Sequence, residues 1–315
     1  MRAERVRGRT RLDTLRRQAA VVQRRASRLD PTVRGLLWSM SAGFTFVVLN
    51  TVMRGLSLVL DPFETQFLRY VFGLAVMLPL VARYGMSAYW PQNVGGQFLR
   101  GGVHTAGLCL WFIALPHITI ADTTAIGFTG PIFIMLGAAW FLGERMRWER
   151  WVAALLGLCG VLIVVAPKVS GGGGLYTLVM VASSPVFAAS FLITKRLTRY
   201  ERPAVIVVWQ AISVALLSLP LALISWKTPS LAQWFSFAVC GLLGSMGHYF
   251  LTRSFSIADI SATQSVKFVE LIWASLFGWL VFADQPSRST LLGGVVICAS
   301  TLWIARREAR TVVRS

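Results

Sequence analysis

Two oppositely charged residues, Lys267 and Glu270, lie three positions apart in a stretch that is otherwise apolar. In a helix this spacing places both side chains on one face, and a rise of about 1.5 Å per residue puts them about 10 to 15 Å into the segment. A charge at that depth of a bilayer costs about 2.5 to 3.5 kcal/mol and usually serves a function. The pair predicts either an internal ion pair that only orients helices, or a site where Lys267 binds a substrate anion or Glu270 takes up a proton.

Arg69 is another cation within apolar sequence, at the fifth position of a helix predicted to begin near residue 65. At the outer end of that helix its long side chain reaches the lipid headgroups; alternatively its planar guanidinium clamps a carboxylate or phosphate. Asp122 and Asp259 lie near predicted helix starts, which leaves two deep cations against the single deep acid Glu270. This charge balance favours a ligand that carries an anionic group.

Histidine and indole side chains extend this set of candidate binding residues. His104 and Trp111 are seven residues apart and share a helix face, so they pair a polar contact with a stacking surface. His248 lies near the inner end of a later helix, and a membrane histidine either joins helices, contacts a ligand or carries a proton. The chain has only 3 histidines and no carboxylate at metal-ligand spacing, so we predict no metal and no cofactor.

Three amides and one proline complete the candidates. Asn50, Gln210 and Gln264 offer neutral hydrogen bonds, either to a substrate or between helices. Pro131 removes a backbone hydrogen bond from an apolar helix, so we expect it to kink that helix beside a cavity or to serve packing alone.

Composition sets these residues in an integral membrane protein. The chain of 315 residues is 55% hydrophobic and 14% charged, with a mean hydropathy of +0.63, which is too apolar for one soluble core. The net charge of +18 does not indicate nucleic-acid binding, because eleven arginines lie within residues 1–34 and almost all other basic residues flank apolar runs. We therefore predict an all-α membrane protein with no nucleic-acid partner.

Ten apolar segments are long enough to cross a bilayer as helices. The predicted spans are 35–54, 65–83, 98–116, 119–142, 149–167, 175–195, 203–225, 232–253, 260–283 and 289–305.

The distribution of basic residues predicts which ends face the cytoplasm, because cytoplasmic loops hold an excess of Lys and Arg. Four lie after odd-numbered spans (Arg54, Lys168, Lys227, Arg288) and ten after even-numbered spans (Arg83, Arg100, Arg145, Arg147, Arg150, Lys195, Arg196, Arg199, Arg202, Arg253). The basic tails 1–34 and 307–315 join the larger group, so both termini are predicted to be cytoplasmic in a bacterial inner membrane. No apolar stretch precedes Leu36, so the first span itself is expected to direct insertion.

An internal repeat relates the two halves of the chain. Displacement by 140 positions aligns 131–144 (PIFIMLGAAWFLGE) with 271–284 (LIWASLFGWLVFAD), and it places Gly101 on Gly241. The predicted repeats are 35–167 and 175–306. Five spans per repeat is an odd number, so the second copy is inverted in the membrane relative to the first, as in carriers that work by alternating access.

Several motifs resemble those of the drug/metabolite transporter superfamily, in particular ten-helix EamA-type carriers, over about residues 35–306. They are Leu68-Arg69, ALPHITIADTTAIGFTGPIF (114–133), FLGERMRWERW (141–151), Gly247-His248, GWLVFADQP (278–286) and Arg306-Arg307-Glu308. The sequences of these motifs resemble the bacterial branch that includes S-adenosylmethionine and riboflavin transporters, with amino-acid exporters more distant. Where relatives often have a Pro-Phe-x-Tyr-like stretch early in helix 9, this chain has VKFVE at 266–270.

The resemblance implies a central cavity lined by helices 1 to 4 and 6 to 9, with helices 5 and 10 at the periphery. Small residues in those two helices, such as Gly157 and Gly293, allow close helix approach, so a monomer and a homodimer both remain open. No G-x-x-x-x-G-K motif occurs, which argues against direct coupling to ATP.

We therefore expect a secondary transporter and not an enzyme, driven by exchange, a substrate gradient or protons. Its expected substrate carries a carboxylate, as an amino acid or S-adenosylmethionine does. The alternatives are a transporter of riboflavin, a drug or another neutral metabolite, and a channel or membrane scaffold without carrier activity.

Overall fold

The computed structural model describes residues 29–127, 129–144, 148–169, 174–267, 269–285, 287–296, 299–300 and 303. Throughout these residues the chain forms helices and short connections and no strand, so the predicted all-α fold class is confirmed. The tail 307–315 and most of the tail 1–34 lie outside the described residues.

Each of the ten predicted spans overlaps helical structure where its residues are described. The helices are α1 (Pro31–Ser57), α2 (Pro62–Tyr84), α3 (Val94–Ala114), α4 (Ile120–Gly127), α5 (Gly130–Gly137), α6 (Trp148–Val169), α7 (Gly174–Leu197), α8 (Pro203–Ala222), α9 (Leu231–Ile257), α10 (Ile260–Thr263), α11 (Val269–Phe282) and α12 (288–296). Among the described residues, six helices (α1, α2, α3 with its extension to His117, α7, α8 and α9) are long and apolar enough to cross a membrane. The count of ten crossings stays a prediction.

An Asp-Pro pair starts each of the first two helices. The side chain of Asp30 accepts the backbone N–H of Thr32 at 2.7 Å, and the side chain of Asp61 accepts that of Phe63 at 2.8 Å. The proline that follows each aspartate occupies the first helical position, where no N–H bond is required. These caps set where α1 and α2 begin.

The fourth and ninth predicted spans are each broken, so their prediction as continuous helices is wrong. In the first half α4 ends at Gly127 and α5 begins at Gly130. In the second half α10 is followed by a 3₁₀ turn, Gln264–Val266, before α11 begins. Pro131 occupies the first turn of α5 and therefore starts a helix, where its missing N–H costs nothing. The expected kink within a continuous helix is wrong.

Helix packing between the halves has the symmetry of a two-fold exchange. Exchanging each helix with its repeat counterpart (α1 with α7, α2 with α8, α3 with α9, α5 with α11) converts the contact of α1 with α9 into that of α7 with α3, and both exist. It likewise converts α2 with α9 into α8 with α3, and α1 with α11 into α7 with α5. The two halves therefore form corresponding contacts around one axis.

Two glycines lie where helices of this bundle approach each other closely. A Cβ added to Gly241 would lie 2.5 Å from the carbonyl carbon of Phe72, and one added to Gly101 would lie 2.4 Å from the Cβ of Ser213. Gly241 faces α2 at residues 72–73, and Ser213 is 140 positions after Gly73. The same close approach is thus made once in each half.

Large apolar side chains cover the outside of the bundle, as a lipid environment requires. Trp140 and Phe141 are each 77% exposed, while Phe112, Phe237 and Phe255 are fully buried between the helices. The outer surface therefore presents aromatic and aliphatic groups, and the polar groups of interest lie inside.

Candidate functional site

A cavity of about 180 Å³ lies between the two halves. Helices from both halves contribute to it: α1, α2, α3 and α4 from the first, and α7, α9 and the start of α11 from the second. Its lining residues are Phe46, Asn50, Met53, Arg69, His104, Leu108, Trp111, Phe112, Thr123, Gly127, Met180, Ser183, Ser184, Phe187, Phe191, His248, Lys267 and Glu270.

Seven of the nine predicted binding residues line this cavity: Asn50, Arg69, His104, Trp111, His248, Lys267 and Glu270. Gln210 lies just behind its wall, where its amide nitrogen is 3.3 Å from His248 Nε2. Gln264 is absent from the lining; its amide nitrogen donates to the carbonyl of Ile260 at 3.0 Å, within the same turn. Its role as a binding residue therefore stays a prediction.

Arg69 is a buried cation that faces neutral partners. Its side chain is 6% exposed, Nη2 lies 3.4 Å from His248 Nε2, and the guanidinium carbon lies 4.5 Å from the centroid of the Tyr70 ring. Within the described residues no carboxylate lies within 4.0 Å of it. The alternative that Arg69 extends to lipid headgroups is wrong, because the side chain points into the bundle.

Lys267 and Glu270 both line the cavity, and the backbone N–H of Glu270 donates to the carbonyl of Lys267 at 2.9 Å. Lys267 Nζ lies 5.4 Å from the centroid of the Phe191 ring. Across the described part of the chain the one ion pair joins Arg54 to Asp284, so the predicted Lys267–Glu270 ion pair is not formed.

The Glu270 carboxylate lies directly against α1. A Cβ added to Gly43 would be 2.5 Å from Oε1 of Glu270 and 2.6 Å from its Cγ. Gly43 therefore provides the space into which this acidic side chain fits, at the edge of the cavity.

A buried hydrogen-bond network joins α2, α3, α7, α8 and α9 beside the cavity. His104 Nε2 lies 3.1 Å from the hydroxyl of Tyr70, and His104 Nδ1 lies 3.2 Å from that of Ser190. The amide nitrogen of Gln210 donates to the Tyr70 hydroxyl at 3.3 Å. These bonds fix the polar wall behind Arg69 and His248.

Arg100 belongs to this network and is not the loop charge assumed in the count of basic residues. Its side chain is 1% exposed. It donates from Nε to the hydroxyl of Thr194 at 2.5 Å and from Nη2 to the amide oxygen of Gln210 at 2.7 Å. The assignment was wrong because Arg100 lies within α3, one helical turn before His104 and on the same face.

The acidic groups near the cavity are fewer than the basic ones. Glu64 is also fully buried, contrary to the expectation of one deep acid, but it accepts the backbone N–H of Lys227 at 3.0 Å at the start of α2. Glu270 is thus the acidic side chain among the lining residues, against Arg69 and Lys267. The cavity therefore offers an excess of positive charge to a ligand.

Sequence reasoning missed the aromatic walls of the cavity and the buried hydrogen-bond network that contains Arg100. Phe46, Phe187 and Phe191 line the cavity, but phenylalanines in an apolar helix carry no signal that distinguishes a lining side chain from one facing lipid. Arg100 did carry a signal, its spacing of four residues from His104. No cluster of His, Cys, Asp or Glu in the described ranges could hold a metal ion.

Comparisons with known proteins identify the fold family twice along the chain. The EamA-like transporter family matches residues 33–166 and again 174–306. A riboflavin transporter of Rhizobium johnstonii is 34% identical over 281 residues, which covers 88% of this chain and 93% of that protein.

Other relatives are named for different cargo. An S-adenosylmethionine uptake transporter of Rickettsia prowazekii is 29% identical over 285 residues, covering 90% of this chain and 96% of that protein. A pseudopaline exporter of Pseudomonas aeruginosa is 28% identical over 282 residues, covering 89% and 99%. The relatives thus agree on transport and differ in substrate and direction.

One protein of known crystal structure shares the fold with a TM-score of 0.67 at 19% identity, covering 85% of this chain and 98% of that one. The two matched repeats, the apolar helices and the similarity to transporters along nearly the whole chain agree with one another. The chain belongs to the EamA-like transporter family and is a multi-pass membrane transporter of small metabolites.

Proposed function

We propose that this transporter carries a small metabolite with a carboxylate, such as S-adenosylmethionine or an amino acid, across a bacterial inner membrane. The observation that carries the proposal is Arg69, a buried guanidinium at the cavity with no carboxylate within 4.0 Å among the described residues. A buried charge requires a partner, and a substrate carboxylate supplies one with bidentate geometry.

Lys267 and Glu270 extend the fit to a zwitterion. Lys267 adds a second positive charge on the lining, and Glu270 offers an acceptor for an ammonium or sulfonium group. An amino-acid head carries both kinds of charge, so one substrate balances the cavity without a separate ion.

The aromatic lining favours a substrate that also contains a flat ring. Phe46, Trp111 and Phe187 are large π surfaces on the cavity wall, and such surfaces stack on planar rings. A ring together with a carboxylate describes S-adenosylmethionine. The aromatic wall alone also suits riboflavin, the second candidate, and several relatives are named as riboflavin transporters.

We propose alternating access between the inverted halves as the transport mechanism, with both termini in the cytoplasm. The support is the two-fold packing of the halves and the position of the cavity beside the broken spans, since carriers with inverted repeats bind substrates at discontinuous helices. Exchange and proton coupling both remain compatible with this mechanism.

Counterflow into proteoliposomes tests the proposal. Vesicles containing the purified protein and unlabelled S-adenosylmethionine, methionine or riboflavin are diluted into the same labelled compound. We expect saturable accumulation of a carboxylate-bearing compound, stimulated by internal substrate. Uptake that never saturates would indicate a channel, and counterflow of riboflavin alone would favour the second candidate.

Comparing the Lys267→Ala variant with a surface control separates loss of substrate binding from general loss of protein function. Loss of one charge-assisted bond of about 1.5 to 3 kcal/mol should raise the KM for the carboxylate compound roughly 10-fold to 100-fold. Lys227→Ala is the matched control, because that side chain is exposed in the loop before α9. Equal KM values for the two variants would contradict a role of Lys267 in anion binding.

A further inference from the structure

A directed hydrogen-bond chain leads from Arg100 toward the cavity. Arg100 Nη2 donates to the amide oxygen of Gln210 at 2.7 Å. A guanidinium has no acceptor, so the oxygen of Gln210 must face Arg100 and its amide nitrogen must point away. That nitrogen, a donor, lies 3.3 Å from His248 Nε2.

Arg69 approaches the same ring nitrogen from the cavity side. Its Nη2 lies 3.4 Å from His248 Nε2 and can only donate. Two donors thus converge on Nε2, which must present its lone pair, and the ring proton resides on Nδ1. The tautomer of His248 is therefore dictated by the two arginines that flank it.

We infer that Arg100 is a positioning residue for the substrate-binding Arg69. It is 1% exposed and acts through Gln210 and His248, whose lone pair holds the Arg69 guanidinium over the Tyr70 ring. The inference rests on the proposed function only for the role of Arg69.

The same geometry makes His248 a hydrogen-bond acceptor and not a proton carrier. The groups around its ring are Arg69, Tyr70, His104 and Gln210, with Arg100 beyond the glutamine. A proton on Nε2 would point at two donors and break both bonds. Proton transport through this histidine is thereby disfavoured.

Nitrogen-15 NMR of histidine side chains reads this arrangement directly, because the chain has only 3 histidines and His117, stacked on Tyr176 outside the network, gives a reference signal. We expect His248 to be neutral, protonated on Nδ1, at neutral and mildly acidic pH. Arg100→Gln should mix its tautomers and raise the substrate KM severalfold with little change in kcat. Arg100→Lys, which also only donates, should restore the wild-type signal.

Gln210→Glu provides a second route if Arg100→Gln does not fold, since it keeps a partner for Arg100 but removes the donor to His248. A His248 ring protonated on Nε2 in the wild type would overturn the positioning role. A His248 signal that stays the same in both Arg100→Gln and Gln210→Glu would also overturn it. Normal NMR results with no effect of Arg69 on transport would instead overturn the proposed function alone.

A separate observation concerns the ends of the bundle. Glu144 and Asp284 are 140 positions apart, and the same backbone turn presents both. Each follows a residue with left-handed backbone, Gly143 at φ 69° and Ala283 at φ 53°. Each donates its backbone N–H to the carbonyl six residues earlier, at 3.1 and 3.2 Å respectively.

The cations beside these acids also correspond, but their partners differ. Arg54 and Lys195 end α1 and α7, 141 positions apart. Arg54 Nη1 lies 2.5 Å from Asp284 Oδ2. Lys195 Nζ instead donates to the carbonyls of Phe255 and Ala258, each at 2.8 Å.

Glu144 likewise forms hydrogen bonds with the turn between α9 and α10 and does not pair with a cation. It accepts the backbone N–H groups of Ile260 at 3.2 Å and Ser261 at 3.3 Å, and the Ser261 hydroxyl at 2.7 Å. At this end Glu144 of the first half and Lys195 of the second half therefore both bond the segment 255–261 of the second half. At the other end the ion pair of Arg54 and Asp284 joins the two halves directly.

The cavity lining comes within one turn of both cations. Asn50 and Met53 of α1 line it within one turn of Arg54, and Phe191 of α7 lies one turn before Lys195. In α7 the lining also continues from Phe191 back to Met180, near the start of that helix.

We propose that these two charge pairs are alternating latches that exchange partners during transport. In the opposite state Arg54 and Asp284 would clamp the turn before α4 (residues 115–121), and Lys195 would pair with Glu144. If the two halves exchange conformations, Arg54 takes the contacts that Lys195 makes now, and Asp284 takes those of Glu144. Lys195 and Glu144 then form the ion pair that Arg54 and Asp284 form now.

Thiol labelling tests the latches in membrane vesicles. Ser184→Cys, in a background without native cysteines, places a reporter in the cavity on the Arg54 side. Lys195→Gln should release the clamp and slow labelling from that side severalfold, while Arg54→Gln should leave labelling equal or faster. Arg83→Gln, at an exposed position of α2, is the charge control.

Glu144→Gln repeats the test on the same latch if Lys195→Gln does not fold. Slower labelling in Lys195→Gln and Glu144→Gln but not in Arg54→Gln supports the latches, since general damage would slow labelling in all three variants. Equal labelling in Lys195→Gln, Glu144→Gln and Arg54→Gln would overturn the proposal.

Discussion

At the scale of single residues, the cavity combines strong cations with neutral partners. Arg69 lies beside His248 and Tyr70, and Arg100 is bonded to Thr194 and Gln210. In a low-dielectric interior such cations gain most from an incoming anion, because water does not screen them. Glu270 provides the acidic group on the same lining.

Glu270 is the residue through which we expect any proton coupling to pass. His248 is engaged as an acceptor, and Glu270 is the carboxylic acid among the lining residues. Glu270→Gln should abolish stimulation of uptake by a pH gradient while counterflow persists with a raised KM, as measured in the same proteoliposomes. Stimulation that survives in Glu270→Gln, or its absence in the wild type, would contradict this assignment.

Much of this site could be predicted from sequence because ionisable and amide side chains are conspicuous in apolar helices. Arg69, Lys267 and Glu270 were identified for that reason. The 3₁₀ turn that precedes Lys267 could not be predicted, because neither charge signals it. Tyr70 was missed because an aromatic side chain beside an arginine has no distinguishing pattern.

At the scale of elements, the turns after α5 and α11 combine one favourable and one strained residue. Gly143 adopts φ 69° without a steric penalty, whereas Ala283 adopts φ 53° at the equivalent position. An L-residue in the left-handed region costs about 1 kcal/mol. The second turn is therefore less stable than the first.

Exchange of these residue types should change stability in opposite directions. Ala283→Gly should raise the free energy of unfolding by about 1 kcal/mol, and Gly143→Ala, where a Cβ meets no atom within 4 Å, should lower it by about the same amount. Thermal unfolding in detergent measures both. A lower Tm for Ala283→Gly would contradict the strain.

The crossing of α2 and α9 gives a larger effect. Gly241→Ala should destabilise the protein by about 1 to 3 kcal/mol, because its Cβ would lie 2.5 Å from backbone atoms that cannot move aside. Gly55→Ala is the control, since a Cβ there meets nothing within 4 Å. Equal Tm values for the two variants would show that the helices separate freely.

The positions of the helices followed from apolar length, but the predicted starts of the first two spans, at 35 and 65, lie after the observed starts at 31 and 62, where Asp-Pro pairs cap the helices. The interruptions did not follow from apolar length, because Gly127 to Pro131 and Gln264 to Lys267 lie inside stretches apolar enough to read as continuous helices. Tertiary contacts across the two-fold axis, such as α4 with α11, decide where such helices break. Single-chain periodicity does not report those contacts.

At the scale of the whole molecule, two similar halves enclose one polar chamber. The repeat was visible in sequence as a displacement of 140 positions, and the paired glycine crossings and the paired acid turns occur at that same displacement. Each half contributes lining residues to the chamber, as the proposed alternating access between the halves requires.

The most direct measurement compares S-adenosylmethionine with its decarboxylated analogue, by binding to the purified wild type, Arg69→Ala and Arg83→Ala. The account predicts that S-adenosylmethionine binds the wild type and Arg83→Ala more tightly than the analogue by roughly 10-fold or more, and that Arg69→Ala abolishes this difference. Equal binding of both compounds to the wild type, or binding of riboflavin alone, would contradict a carboxylate site at Arg69.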